Sequence, residues 1–97
     1  MSAEDLENYE SDRELTLMHE YRDVSPMFSY AVETERRFYL ANQVDVEVIE
    51  TGSRPLVKVT LSDAWVWDLY RQSRFVPSVN VLTFKDVNVE ELPKPEL

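Results

Sequence analysis

The chain has 97 residues, the size of one domain, and its hydrophobic fraction of 43% suits a folded core rather than a disordered segment. It contains no cysteine and a single glycine, Gly52, which excludes disulfides, thiol chemistry, zinc–cysteine sites and the glycine-rich loops that cradle nucleotide phosphates. The net charge of −9 argues against direct binding to duplex DNA, whose phosphates need a basic face.

The first 23 residues hold eight acids and two bases, and residues 24–85 hold seven of each. Residues 86–97 hold four acids and one lysine. This divides the chain into an acidic helical arm (1–23), a balanced α+β core (24–85) and an acidic tail (86–97). The N-terminus opens on acids with no apolar stretch, which is not a signal peptide, and nowhere does an apolar run approach bilayer length. The expectation is a soluble cytoplasmic protein.

Ser2 with Asp5 has the spacing of a helix N-cap followed by an acid, and Glu4, Asp5 and Glu7 stand where a helix start favours negative charge. Leu6, Tyr9, Leu17, Met18 and Tyr21 then share one side at 100° per residue, with Leu15 off that stripe. The spacing predicts a helix over 3–21, broken at Ser25-Pro26.

From Phe28 the apolar period becomes two. Two strands are expected, around Phe28–Val32 and Phe38–Ile49, with a turn near 34–36. Residues 50–55, with Gly52 and Pro55, form the clearest turn. Beyond it Val57, Val59 and Leu61 alternate with Lys58 and Thr60, as in an antiparallel hairpin that sets Asp45 and Glu47 near Lys58. Residues 62–71 read either as a short helix capped by Ser62 or as a strand with Trp65 and Trp67 on one face; a short helix or irregular crossover is the preferred reading. Pro77 closes that stretch, and Val79–Phe84 is a final strand. The tail alternates through Val87 and Val89 to Leu92, a pattern suited to pairing with its own sheet or with a partner's edge, and ends polyproline-like at Pro93 and Pro95. The fold class is therefore α+β: an N-terminal amphipathic helix packed on a mostly antiparallel sheet of about four strands, with an extended acidic tail.

Catalytic parts are scarce. His19 is the single histidine, with Asp23 one helical turn on; Asp45/Glu47 and Glu33/Glu35 are strand-spaced carboxylate pairs that suit a wet sheet face better than acid–base chemistry. The chain reads as a non-enzyme with no cofactor and no metal. Its informative clusters are aromatic and basic. Trp65, Trp67, Tyr70, Arg71, Arg74 and Phe75 have the composition of interface anchors, and Glu7, Glu10 and Glu14 suit a basic partner surface. Arg36, Arg37, Phe38 and Tyr39 form the alternative, a single-stranded RNA-binding set in which arginines hold phosphates and aromatics stack bases.

Four stretches, MSAEDLENYE, FSYAVETERRFYLANQVDVEV, SDAWVWDLYR and VLTFKDVNVEELPKP, together resemble a small actinobacterial family, a domain of unknown function found in mycobacteria and streptomycetes. The resemblance covers the whole chain. It implies a cytoplasmic bacterial protein encoded near ribonuclease HII and a ribosomal protein gene, and it supplies no catalytic residues. The functional expectation is an accessory protein docking on a larger assembly, with RNA polymerase or the ribosome as natural candidates.

Overall fold

The computed structural model describes residues 2–93; the side chains of Asp5 and Leu6 lie outside that description, as does the end of the tail, 94–97. Helix α1 runs Ala3–Val24, with Arg22 in its last turn where a cation suits the helix dipole. A 3₁₀ turn, Ser25–Met27, follows with Pro26 early in it, and Phe28 leaves it in extended geometry. Five strands complete the fold: β1 (Tyr30–Glu33), β2 (Phe38–Glu50), β3 (Pro55–Val66), β4 (Phe75–Thr83) and β5 (Asn88–Glu91). They form one sheet in the order β4-β3-β2-β1-β5, and every neighbouring pair is antiparallel.

The sheet has five strands rather than about four, because residues 88–91 of the tail pair with β1. The tail thus uses its alternation within its own sheet. The backbone N–H of Leu92 also donates to the Ser29 carbonyl at 2.8 Å. The 62–71 stretch departs from expectation as well. Residues 62–66 are not helical but continue β3 to Val66. β4 likewise begins at Phe75 and passes through Pro77. Proline is tolerated there because β4 lies at the sheet edge.

One row of the sheet explains why these strands were hard to read. Pairing is regular on both sides of Asn42, Asp63 and Pro77, but these three residues form no ladder partners with one another. Asp63 has φ of 53°, the left-handed region that Asp tolerates better than most residues. Its Oδ2 accepts from Asn42 Nδ2 at 2.6 Å. Across this row the side-chain alternation changes phase. Val57, Val59 and Leu61 share a core with Ala64 and Val66, whereas Trp65 turns to the other face. Strict alternation would have put Trp65 beside Leu61.

Helix α1 packs on the face that Trp65 reaches. Leu17, Val24, Phe28, Leu40 and Trp65 form its buried cluster, with Tyr21 packed against it. Leu17, Tyr21 and Val24 have the i, i+4, i+7 spacing of a core-facing stripe. Tyr9 and Met18, expected on that stripe, lie on its flanks and are exposed.

The opposite face is concave, and the register requires it. Thr83 pairs with Val57 and through it with Val48, while Asn88 pairs with Glu33 and through it with Phe38. Val48 and Phe38 stand about 33 Å apart along an extended strand. The link from Thr83 to Asn88 reaches at most about 18 Å. The sheet must therefore curl, bringing the end of β4 to the β1–β2 turn. There Thr83 Oγ1 donates to Glu35 Oε1 at 2.7 Å. The second core, with Val32, Tyr39, Ala41, Val59 and Leu61, fills the resulting hollow, and Val87 packs against it from the link.

Candidate functional site

The β3–β4 loop (67–74) lies against α1, and Glu20 fastens the two. Its Oε1 accepts the indole N–H of Trp65 at 2.7 Å and Arg74 Nε at 3.1 Å, and its Oε2 accepts Arg74 Nη2 at 2.8 Å. Arg74 Nη1 donates to the Arg71 carbonyl at 2.8 Å. Such a charged, forked bond combines strength with fixed geometry. Around it Tyr21 meets Phe38, Trp65 and Trp67 with ring centroids 5.8, 5.9 and 5.3 Å away. Arg37 adds an ion pair to Asp68 at 3.4 Å.

This geometry sorts the residues that the sequence offered as anchors. Trp65 is buried and Arg74 is bonded to Glu20, so both serve inside the fold. Trp67 is half-buried, with rings on several sides. Phe75 is half-exposed and stacks on Phe28 at 6.4 Å. Arg71 is exposed and donates to the Ser73 carbonyl at 2.9 Å. Tyr70 projects into solvent, 64% exposed.

Tyr70 joins residues that the sequence assigned elsewhere. Tyr9 and Met18 are 50% and 57% exposed on α1. Arg13 lies 5.2 Å from the Tyr9 ring centroid and 6.0 Å from that of Tyr70, and its Nη1 donates to the Tyr9 hydroxyl at 2.8 Å. The Tyr70 hydroxyl donates to Glu10 Oε1 at 3.3 Å. The negative charge of Glu10, followed by partial desolvation and that hydrogen bond, holds the Tyr70 phenol above its ordinary pKa, while Arg13 acts in the opposite sense. Two grooves run beside this surface. One, of about 300 Å³, is lined by Tyr9, Asp12, Arg13, Thr16, Leu69 and Arg74. The other, of about 230 Å³, is lined by Glu14, Leu17, Met18, Trp67 and Leu69. Leu69 belongs to both and separates them. Glu7 and Glu14 are exposed on the same helix, with Glu10 partly so.

The sequence missed Tyr9, Met18 and Leu69. Tyr9 and Met18 fell at stripe positions, and the only signal against burying them was the acidity of their neighbours. Leu69 carried no signal of its own.

The RNA-binding set is divided. Arg36 and Arg37 are exposed on the β1–β2 turn, but alternation sends Phe38 to the helix-side cluster and Tyr39 to the concave core. The two rings therefore share no stacking surface. His19, Asp23, Asp45 and Glu47 are all exposed, and Glu47 stands opposite Lys58 as the sequence suggested. Among the described residues, no three His, Cys, Asp or Glu side chains are grouped to hold a metal ion, and no helix is long and apolar enough to cross a membrane.

A family model described as "Protein of unknown function (DUF2469)" matches residues 1–97. The chain belongs to this family. Uncharacterised proteins of Mycobacterium bovis and of Mycobacterium tuberculosis strain H37Rv are each 59% identical to it over 97 residues, covering 100% of this chain and 96% of theirs. No solved structure matches it. The DUF2469 relatives bring no assigned activity, so the reading of the α1–loop surface rests on its geometry.

Proposed function

We propose that this protein is a non-catalytic accessory factor that docks on a larger cytoplasmic assembly through α1 and the β3–β4 loop. The supporting observation is that Met18 and Tyr70 stand exposed beside Glu7, Glu10 and Glu14, with Tyr9 exposed on the opposite flank of α1, on an element whose inner side Glu20 has fixed. Large amphipathic side chains on a rigid support lose little freedom on binding, and Tyr and Met are enriched in interface cores. The acids specify the partner's chemistry: a basic surface with an apolar side chain that enters the groove between Met18, Trp67 and Leu69. The summed negative field of α1 speeds encounter with such a surface. RNA polymerase and the ribosome are the assemblies to examine first, since each combines protein surfaces with strong basic character.

The test is native co-purification of the untagged protein at low and moderate salt, comparing wild type with Met18→Asp. The expected result is co-elution with one assembly, weakened by salt and abolished by the substitution. Elution alone at both salt concentrations removes the proposal's support.

A further inference from the structure

On the concave side, away from α1, the curl of the sheet leaves a cleft of about 340 Å³ between the β1–β2 turn and β4. Its wall includes Thr34, Arg36, Arg37, Tyr39, Asn80 and Thr83. Tyr39 is the informative member. Its ring sits in the concave core at 7% residue exposure, while its hydroxyl, which makes no hydrogen bond to another described residue, stays open to solvent where Tyr39 lines the cleft. The hydroxyl is thus free to donate to a group bound in the cleft.

The surrounding groups are mostly donors. The Thr34 hydroxyl accepts the backbone N–H groups of Arg36 at 3.3 Å and Arg37 at 3.1 Å, so both arginines start from a fixed turn. Among the described residues Arg36 has no ion-pair partner, while Arg37 shares its charge with Asp68. Asn80 uses its Oδ1 to accept the Thr60 hydroxyl at 3.1 Å, which leaves its amide N–H groups as donors. The one carboxylate in the lining, Glu35, accepts from Thr83 through Oε1 and keeps Oε2 as an acceptor. Glu33 and Asp86 line the neighbouring depression and oppose an extended polyanion.

We propose that this cleft binds a small molecule carrying one phosphate monoester and a nearby hydroxyl, such as a sugar phosphate or a nucleoside monophosphate. Arg36, Arg37 and the Tyr39 hydroxyl take the phosphate, and Glu35 accepts from the ligand hydroxyl. This site lies on the other side of the sheet from the docking surface, with Arg37 touching both through its ion pair to Asp68.

The experiment is an amide-shift NMR titration of the full chain with inorganic phosphate, ribose 5-phosphate, uridine monophosphate and an oligo(U) RNA. The expected result is saturable shifts confined to 34–39 and 80–83, with ribose 5-phosphate and uridine monophosphate binding more tightly than inorganic phosphate. Arg36→Ala should weaken binding about tenfold or more, as loss of an ion pair, and Tyr39→Phe about three- to tenfold, as loss of one hydrogen bond from a neutral donor to the phosphate. Arg22→Ala, exposed in the last turn of α1 on the other side of the sheet, should leave binding unchanged. The absence of saturable shifts at millimolar ligand overturns the proposal. Shifts that persist in Arg36→Ala, or tighter binding of oligo(U) than of the monophosphate, overturn it equally.

Discussion

Glu20 and Trp65, 45 positions apart in the chain, meet at 2.7 Å, the indole N–H donating to the carboxylate. This bond joins the helix to the end of β3, and Arg74 completes it from the loop. Replacing Glu20 with Ala leaves a largely buried guanidinium and a buried indole N–H without their acceptor. The expected loss is about 3 kcal/mol or more. Urea unfolding at neutral pH measures it, and a loss under about 1 kcal/mol would show that the bond is dispensable.

The helix has one packing side, and two leucines two positions apart distinguish it. Leu17 is buried and Leu15 is exposed. Leu17→Ala should cost about 2–4 kcal/mol, and Leu15→Ala less than about 0.5 kcal/mol. Equal effects in thermal or chemical unfolding would place the helix in another orientation.

Asp63 carries the left-handed backbone at which the sheet changes phase. Asp63→Val should destabilise by about 1–3 kcal/mol, because a β-branched residue resists that conformation. Asp63→Gly should stay within about 1 kcal/mol of wild type, since glycine's freedom offsets loss of the hydrogen bond to Asn42. The reverse ranking of the two variants in urea would contradict this reading.

Tyr70 offers a pH test. Glu10 holds its phenol pKa above the ordinary value, so the neutral form is favoured in the folded protein. The associated stabilisation is present below the unfolded pKa and is lost as pH rises through the raised folded value. In ultraviolet titration, the Tyr70 component, identified by difference from Tyr70→Phe, should titrate late. Glu10→Gln should bring it back toward the ordinary range. An unchanged midpoint in Glu10→Gln would refute Glu10 as the cause.

Much of the architecture was legible in the sequence. The helix start near Ala3, the break at Ser25-Pro26, the Gly52 turn and the β2–β3 pairing follow from local chemistry, because prolines, turn residues and period-two alternation act over a few residues. The preferred helix over 62–71 failed for a physical reason: Asp63 shifts the phase of β3, so Trp65 leaves the face of Leu61 and joins Trp67 on the helix side, and nothing local announces that break in the alternation. The pairing of 88–91 with β1 depends on the curl, which is a property of register across five strands. The candidate surface was only partly legible. Tyr70 and the acids of α1 were identified, but Trp65 and Arg74 proved internal once Glu20 was seen between them, and Tyr9 and Met18 emerged only from the angle at which α1 lies.

The central claim is that the α1–loop face meets a protein partner. Photo-crosslinking in the native cell tests it most directly, with the reactive residue placed at Tyr70, at Met18 or at Thr60 on the polar distal part of the sheet. The account predicts one discrete adduct, to the same protein, from Tyr70 and Met18, and none from Thr60. An adduct pattern identical at all three positions, or adducts from Thr60 alone, would contradict it.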